Sequence, residues 1–241
     1  MTELLYQTDS YLKDFDAIVT AIDTENHGVT LDRSAFYTGG GGQPADDGSL
    51  IIGESTYQVE RVKRVNGEVV HILANEGELP HIGDAVHGQL NWPRRYRLMR
   101  THTAMHILCG VVFRDYGALV TGGNMEPLKG RMDFEFESMH KELVLEIEQA
   151  INREVDNSLD LKVDILPRQE AFQIPDLIRT KINLLPEGIA EVRVVEIQGL
   201  DLQADGGTHV NNTSKVGKLV VTKYKSKGAI NKRIYLELEE A

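Results

Sequence analysis

Hydrophobic residues in the first 92 positions fall in short segments that are β-branched or alternate with polar residues. Such segments are typical of strands, and the turn sequence Asn66-Gly67 between two of them predicts a hairpin. The predicted strands cover residues 17–22, 28–31, 56–65, 69–73 and 85–90. Several short strands at this spacing predict a small β-barrel or sandwich.

A different spacing begins after residue 92, where hydrophobic positions recur every three or four residues, as on one face of a helix. Asn91 can cap this helix, Pro93 suits its first turn and Gly117 suits its end. Its buried stripe is expected to contain Leu98, His102, Met105, Cys109, Val112 and Tyr116. We therefore predict two domains, an N-terminal β-barrel-like domain over residues 1–92 and a second domain over residues 93–241.

The rest of the second half mixes both spacings, which predicts an α+β domain. We predict a turn at residues 121–124, a helix at roughly 138–157, strands at 131–136, 162–166 and 234–238, and central strands at 191–197 and 218–224. Residues 168–190 show no regular pattern, because Pro175 and Pro186 interrupt them.

The composition predicts a soluble globular chain. It has 241 residues, of which 41% are hydrophobic and 26% charged, enough for a real core, and its apolar runs are too short to cross a bilayer. The N-terminal segment lacks the basic start and long apolar block of a signal peptide, so we expect no membrane partner. Cys109 is the single cysteine, which excludes an internal disulfide and favours a cytoplasmic location.

The net charge of −11 is unevenly distributed, which leaves a nucleic-acid partner open. Residues 1–92 hold five basic and fifteen acidic residues, whereas residues 206–236 hold no acidic residue. The basic residues of this second segment are Lys215, Lys218, Lys223, Lys225, Lys227, Lys232 and Arg233. Such a patch can bind phosphates, because screening weakens repulsion from charges beyond about 8–10 Å. The alternative is a solvated, lysine-rich strand face.

Four consecutive glycines at residues 39–42 lie inside the barrel-like region and precede Gln43 and Pro44. A glycine run loses much backbone entropy on ordering, so a purely structural hairpin is expected to use one seldom, and glycine lets a backbone approach a ligand closely. No Gly-Lys-Ser/Thr follows, so this is not a Walker A loop. A mobile linker is the alternative, although the residues that follow are unlike a Gly/Ser spacer.

Two histidines four residues apart, His102 and His106, lie in the long predicted helix. This spacing puts both side chains on one face, close enough to bind one metal ion. The pattern differs from that of zincin proteases, because Thr103 stands where those enzymes have a glutamate base. The alternative is a pair of core histidines whose ring nitrogens are satisfied by hydrogen bonds.

A second pair, Asp205 and His209, flanks a Gly-Gly-Thr turn between two predicted strands. The two glycines allow a tight loop that directs both side chains toward one point. A catalytic zinc needs about three protein ligands and an open position, and imidazole nitrogens and carboxylate oxygens both serve. The three histidines supply three nitrogens. Asp205 is then a fourth ligand, an outer partner of a ligand or a general base.

These motifs together resemble the editing domain of alanyl-tRNA synthetases. The segment from His102 to His106 matches its HxxxH motif, the segment from Asp205 to His209 matches its Cys-Gly-Gly-Thr-His motif, and residues 41–44 match its Gly-Gly-Gln segment. Their order and spacing, over about residues 31–220, resemble a freestanding editing protein of the AlaX type. One departure is Asp205 at the family's cysteine position, because a carboxylate is a harder ligand than a thiolate.

The resemblance implies a fold and an activity. The fold is an N-terminal β-barrel-like domain joined to the zinc-binding α+β domain shared by threonyl- and alanyl-tRNA synthetases. The activity is hydrolysis of mischarged seryl-tRNA(Ala), with glycyl-tRNA(Ala) as a second candidate, and the partner is the tRNA acceptor end. One Zn²⁺ per chain is the implied cofactor. Aminoacylation is not expected, since 241 residues leave no room for an ATP-binding catalytic domain.

The resemblance also implies substrate-binding residues. Ser34 stands where family members carry a threonine thought to contact the serine hydroxyl, and a turn serine is the alternative. A pocket that hydrogen-bonds this hydroxyl rejects alanine by about 10⁴–10⁵, since its own polar groups would be left unpaired. Ser34, Gln43 and Asp205 are our candidates for catalysis. Other predicted substrate contacts are Gly41, Gly42, Thr208, Lys223, Lys225 and Arg233.

Two other functions are compatible with the same motifs. The chain could deacylate another mischarged tRNA such as seryl-tRNA(Thr), because the two synthetase families share the zinc domain, although the Gly-Gly-Gln segment favours alanine. It could also be a non-catalytic tRNA-binding module if Asp205 abolishes metal binding.

Overall fold

The computed structural model describes residues 1–74, 77–180 and 188–240, and the chain divides into two compact units, Met1–Tyr96 and Arg97–Ala241. Pro186, one of the two prolines expected to interrupt the chain, lies outside these residues. No helix in the described ranges combines the length and apolar character needed to cross a membrane.

The first unit is built almost entirely of strands. They are β1 (Glu3–Leu4), β2 (Asp14–Asp23), β3 (Gly28–Leu31), β4 (Arg33–Ser34), β5 (Gly48–Ile52), β6 (Ser55–Val65), β7 (Glu68–Leu73) and β8 (Ala85–Leu90). A 3₁₀ turn covers Leu5–Gln7. A long helix, α1 (Trp92–Tyr116), begins in this unit and continues into the second.

Six of these strands close into a barrel in the order β2-β3-β7-β6-β5-β8, which confirms the predicted barrel. Its interior is filled by apolar side chains such as Val19, Leu31 and Leu50. The hairpin between β6 and β7 is also confirmed. Asn66 and Gly67 have φ of 52° and 88°, the left-handed values that a two-residue type I′ turn requires. The sequence pattern missed β5, because only its central residue is fully buried and no alternation is visible.

The second unit combines two antiparallel sheets with helices. Its further elements are β9 (Val120–Glu126), β10 (Lys129–Glu135), α2 (Lys141–Asp156), β11 (Leu161–Pro167), α3 (Arg168–Ala171), β12 (Glu191–Ile197), β13 (Asp201–Ala204), β14 (Leu219–Ser226) and β15 (Asn231–Leu238). A 3₁₀ turn covers Thr213–Lys215. One sheet has the order β14-β15-β10-β9 and the other β11-β12-β13, so the predicted α+β class is confirmed.

Helix α1 begins and ends as predicted. The side chain of Asn91 accepts a hydrogen bond from the backbone N–H of Arg94, and Gly117 has φ of 65°, a conformation that ends helices at little cost for glycine. Its buried surface is wider than predicted, because every residue over 98–112 is buried. Tyr116, expected in the stripe, is 38% exposed.

Two predictions for the second unit are wrong, one of a turn and one of the position of a strand in its sheet. Residues 121–124 form part of β9 instead of a turn; Gly123 lies so close to α1 that a Cβ added there would be 3.1 Å from Met105 Cε. The glycine therefore serves close packing of a sheet on a helix.

The strand β14, predicted as central, lies at the edge of its sheet, and its residues 222–226 are all exposed. The prediction of β12 as a central strand is confirmed.

Candidate metal centre

Four side chains of the second unit converge on one point. His102, His106, Asp205 and His209 each offer a donor atom, and these four atoms all lie within 4.8 Å of one another. The centroids of the three imidazole rings are 4.2 to 5.1 Å apart. The histidines are buried and the aspartate is nearly so. The structure therefore brings together the four residues that the sequence pattern selected.

Local backbone geometry explains why they meet. His102 and His106 lie one turn apart on the buried part of α1. Asp205 follows β13, and its backbone is held to β12 because Asp205 N–H donates to the Arg193 carbonyl (3.1 Å) and Arg193 Nη1 donates to the Asp205 carbonyl (3.0 Å). The Gly207 N–H then donates to Asp205 Oδ2 at 2.7 Å, which holds the carboxylate in place.

The Asp205 carboxylate lies among the ring nitrogens. Its Oδ2 is 3.0 Å from His209 Nε2, and its Oδ1 is 3.5 Å from His102 Nε2. In a tetrahedral zinc site with bonds of about 2.0–2.1 Å, ligand atoms are separated by roughly 3.4 Å. Three imidazoles and one carboxylate are also a donor set that zinc accepts. Both the chemistry and the spacing of this group fit a zinc ion.

Two of the histidines have an outer partner at Nδ1. His106 Nδ1 is 3.0 Å from Asp201 Oδ2, and His209 Nδ1 is 3.2 Å from Thr103 Oγ1. Metal-binding histidines typically use one nitrogen for such a partner and the other for the ion. The alternative, core histidines with both nitrogens satisfied, does describe His209, whose nitrogens face Thr103 and Asp205. It does not explain why four potential metal ligands lie within 4.8 Å of one another.

Burial controls the charge state of the cluster. It lowers the pKa of His102 well below its ordinary value and the pKa of His209 to about 4, so both rings are neutral, as metal ligands must be. Burial would raise the pKa of Asp205, but the neighbouring histidines outweigh it and hold this pKa well below the ordinary value. For His106, burial lowers the pKa, but the hydrogen bond with Asp201 and the negative charges of Asp201 and Asp205 together outweigh burial, so this pKa is raised above its ordinary value.

The only cysteine does not belong to the cluster. Cys109 is buried, and its Sγ accepts a hydrogen bond from Gln203 Nε2 at 3.3 Å. Burial raises the pKa of this thiol well above its ordinary value, so it is not the reactive thiolate form. Cys109 therefore does not stand in for the cysteine that Asp205 replaces.

Ser34, in the first unit, is fully buried and hydrogen-bonded. His71 Nδ1 is 3.2 Å from the Val29 carbonyl, which can only accept, so Nδ1 carries the proton and Nε2 is an acceptor. The Ser34 hydroxyl therefore donates to His71 Nε2 (2.8 Å), while its oxygen accepts from the Phe36 N–H (3.2 Å). Burial lowers the pKa of His71 to about 4, so this ring is neutral. A substrate contact of Ser34 stays a prediction.

The glycine run forms a tight turn. Gly40 N–H donates to the Gln43 carbonyl (3.1 Å) and Gln43 N–H to the Gly40 carbonyl (2.8 Å). Gly41 and Gly42 have φ of 55° and 90°, as in a type I′ turn, which other residues adopt only with strain. Two of the four glycines are therefore required by the backbone conformation of this turn, and a substrate role for them stays a prediction. The tip at Gly40 and Gly41 is exposed, whereas Gln43 is buried.

Sequence reasoning missed the buried ion pair Arg95–Asp46 beside this turn. Arg95 Nε lies 3.0 and 2.9 Å from the two oxygens of Asp46, and its Nη2 donates to Asp46 and to the Ala35 carbonyl. Asp46 also accepts from the Tyr37 N–H at 2.6 Å. Both side chains are almost completely buried. No sequence signal identified them, because the two residues are 49 positions apart and resemble ordinary surface charges.

The predicted phosphate contacts differ in their surroundings. Lys223 and Lys225 are exposed on β14, and in the described part of the chain no carboxylate lies within ion-pair distance of either. Arg233 instead makes two hydrogen bonds to Asp133, at 2.5 and 2.7 Å, so much of its charge is neutralised. Thr208, a predicted substrate contact, is fully buried.

Two family models match the chain. The model described as threonyl and alanyl tRNA synthetase second additional domain matches residues 192–235, which include Asp205 and His209. The model described as tRNA synthetases class II (A) matches residues 4–94.

Curated relatives match almost the whole chain. An alanyl-tRNA editing protein AlaX-M from Saccharolobus solfataricus is 41% identical over 237 residues, covering 98% of both chains. The AlaX-M protein of Methanosarcina acetivorans is 37% identical over 244 residues, covering 99% of both. An alanine–tRNA ligase from Ignicoccus hospitalis is 37% identical over 226 residues, but the match covers only 24% of the ligase.

Proposed function

The chain belongs to the alanyl-tRNA editing proteins of the AlaX-M type, and from this premise we propose that it is an aminoacyl-tRNA deacylase that acts in trans. Its proposed substrate is mischarged seryl-tRNA(Ala), with glycyl-tRNA(Ala) as a second candidate, and its proposed location is the cytoplasm. The reaction is hydrolysis of the ester between the amino acid and the 3′ end of the tRNA. The proposal of catalysis rests on one observation, the convergence of His102, His106, Asp205 and His209.

We propose that these four side chains hold one zinc ion. When bound, zinc supplies Lewis-acid chemistry and lowers the pKa of water. The low pKa of Asp205 supports its assignment as a ligand, because a carboxylate that stays ionised far below neutral pH is a weak general base. Its position among the ring nitrogens supports the same assignment.

The ester is already activated, so the protein mainly has to position it, admit water and stabilise the developing oxyanion. His102 and His209 contribute neutral imidazoles and no competing positive charge. Burial of the cluster lowers the local dielectric constant, which strengthens every interaction with charge that develops there.

For selectivity we propose Ser34, with Gln43 as a further pocket residue. Because the Ser34 proton is donated to His71, its oxygen has only acceptor capacity left. A serine hydroxyl can donate to such an oxygen, whereas the methyl group of alanine cannot. Since Ser34 is buried, this contact requires that the substrate replace part of its present surroundings.

For tRNA binding we propose that Lys223 and Lys225 contact phosphates, with Arg233 as a weaker contributor because of its pairing with Asp133. The turn at Gly41 and Gly42, which is exposed at Gly41, is proposed to approach the acceptor end, because it presents backbone without side chains. Phosphate contacts position the RNA and carry no sequence information.

The test is deacylation of seryl-tRNA(Ala) and alanyl-tRNA(Ala) by the purified chain, with metal content measured before and after a chelator. We expect about one zinc per chain, rapid hydrolysis of the seryl ester only, and loss of hydrolysis on chelation that added zinc restores. Full activity in metal-free protein would contradict the zinc assignment. Equal hydrolysis of both esters would contradict the proposed selectivity.

A second candidate substrate is seryl-tRNA(Thr). It is favoured by the match of residues 192–235 to a domain model that covers threonyl as well as alanyl synthetases. Including this tRNA in the same assay decides between the two, and we expect the alanine tRNA to be preferred.

A further inference from the structure

We propose that Asp201 is a positioning residue for His106, whose ring it holds so that Nε2 is available to the metal. This inference rests on the proposed zinc site and adds a residue that lies outside the four ligands. It is carried by the contacts around Asp201 and by the close packing of α1 on the chain at residues 200–201.

The contact with His106 determines which ring nitrogen carries the proton. Asp201 is buried, and its Oδ2 is 3.0 Å from His106 Nδ1. A carboxylate only accepts hydrogen bonds, so Nδ1 carries the proton and donates it to Asp201. The lone pair of the ring is then on Nε2, the nitrogen that remains for a metal. Without this acceptor the ring is free to adopt the other tautomer or to rotate.

The carboxylate of Asp201 is itself held from two sides. Gln203 Nε2 donates to the same Oδ2 at 2.7 Å. On the other side Oδ1 lies 3.5 Å from Arg179 Nε, an ion pair too long for a hydrogen bond, and this oxygen has no hydrogen-bond partner among the described residues. The Arg179 guanidinium lies 3.7 Å from the centroid of the Phe113 ring, which helps to keep the cation in place.

Close packing brings Asp201 and the helix together. A Cβ added at Gly110, one turn after His106, would lie 2.9 Å from Leu200 Cγ and 3.0 Å from both the Leu200 carbonyl oxygen and Asp201 Cβ. Glycine is a poor helix former, so its presence inside a helix calls for another reason. Here it lets α1 approach residues 200–201 closely enough for the Asp201–His106 hydrogen bond.

A carboxylate at this position also balances charge. Zn²⁺ held by three neutral imidazoles and Asp205 would keep a net charge of +1, and Asp201, which also faces Arg179, places a negative charge on the far side of the His106 ring. The partner of His209 Nδ1 among the described residues is the neutral Thr103 hydroxyl, whereas the partner of His106 Nδ1 is a carboxylate. Outer partners of this kind typically change metal affinity by 10–100-fold.

The experiment measures zinc affinity by competition with a chromophoric chelator, on the full chain. Asp201→Asn keeps the shape and an acceptor oxygen but removes the charge, and Asp201→Leu removes the acceptor as well. We expect about a 10-fold loss of affinity for the first variant and up to about 100-fold for the second. Asp164→Asn, which neutralises an exposed aspartate on β11, is the control and should bind zinc like the wild type.

Gly110→Ala tests the same inference without altering any polar group. Alanine gains about 1 kcal/mol of helix propensity over glycine, but the contacts of its Cβ with Leu200 cost about 1–3 kcal/mol, so the metal-free variant should fold and be no more stable than wild type. The added Cβ should nevertheless displace Asp201 and lower zinc affinity. Visible absorption of the cobalt-substituted variants gives a second readout, and their ligand-field bands should shift because the geometry at His106 changes.

The outcomes separate this inference from the function on which it rests. If the wild-type chain binds no zinc, the proposed metal site is wrong. If the wild type binds zinc and folded Asp201→Asn and Gly110→Ala bind it equally tightly with unshifted cobalt spectra, the role of Asp201 is overturned while the metal site stands. Lower affinity with an unchanged fold supports the inference.

Discussion

The two units bury polar groups in opposite ways. In the first unit, donors face acceptors: Arg95 is paired with Asp46, and the Ser34 hydroxyl is paired with His71. In the second unit, four potential metal ligands, three imidazoles and a carboxylate, lie within 4.8 Å of one another. A reciprocal pair needs no further partner, whereas we propose that these four groups share one cation.

This difference separates structural polar groups from a ligand site. Burial alone does not distinguish them, since Arg95 and the histidines are equally inaccessible to solvent. What distinguishes them is how many potential metal ligands meet at one point, which is four in the cluster of the second unit. The following changes test the distinction, beginning with the largest expected effect.

Removing one of the four proposed ligand side chains should abolish zinc binding and ester hydrolysis. We expect His106→Ala to lower zinc affinity by more than the roughly 100-fold that loss of an outer partner produces, and deacylation to fall by at least as much. His81→Ala is the control, because the His81 side chain is 78% exposed. Metal content and single-turnover deacylation give the readouts, and a zinc-replete, active His106→Ala would refute the cluster as the metal site.

Removing one side of the reciprocal pair should affect stability instead. Arg95→Met leaves the Asp46 charge buried without its partner, so the free energy of unfolding should fall by about 3–5 kcal/mol. Denaturant unfolding measures this. Arg33→Met removes a half-exposed arginine paired with Asp32 and should cost under about 1 kcal/mol. The double change of Arg95→Met with Asp46→Leu should recover part of the loss. Equal stability of Arg95→Met and wild type would contradict the structural assignment.

The Ser34–His71 pair should make stability depend on pH. The pKa of His71 is lowered from 6.5 to about 4 by burial, so above pH 6.5 the ring is neutral in both folded and unfolded chains. Between pH 6.5 and 4 only the unfolded chain binds this proton, and stability should fall by up to about 3 kcal/mol.

His71→Leu should flatten this part of the profile, whatever its effect on stability at neutral pH. Unfolding measured at several pH values provides the slope, and the exposed His81 replaced by leucine is the matched control. Parallel profiles for His71→Leu and wild type would show that His71 does not titrate in this range.

The smallest expected effect is on tRNA affinity, when two exposed lysines outside the buried ion pair and the histidine cluster are replaced. Lys223→Gln with Lys225→Gln should weaken tRNA binding several-fold, and each change should reduce the slope of log affinity against log salt by about 1. Lys129→Gln on the same sheet is the control, since Lys129 is paired with Glu237 at 3.5 Å. An unchanged salt slope in the double variant would remove these lysines from the RNA-binding surface.

The contrast between the units also explains what the sequence could predict. The HxxxH pair is local on one helix, so its geometry follows from helical spacing alone, and the Gly-Gly-Thr turn likewise limits where Asp205 and His209 can lie. Only the meeting of the two motifs required the fold. The barrel was predictable for a similar reason, because strand spacing and the Asn66-Gly67 turn are local signals.

The missed features depend on contacts between distant residues. Arg95 and Asp46 carry no pattern that separates them from surface charges, so their burial follows only from packing. Gly123 was interpreted as a turn residue because glycine is common in turns, but its role is to admit the side chain of Met105. Whether β14 lies at the edge or in the centre of its sheet depends on how the strands pair. The spacing of residues along the chain does not determine that pairing.

The long separation of the two ligand pairs has a consequence for how the protein persists in a cell. The proposed ligands on α1 and those after β13 are about 100 residues apart, so an ion bound by all four would tie remote parts of the polypeptide together. Because the four donors assemble only in the native chain, every increment of ion affinity also opposes denaturation. When zinc is scarce, the protein is therefore expected to unfold more readily as well as to lose its proposed activity.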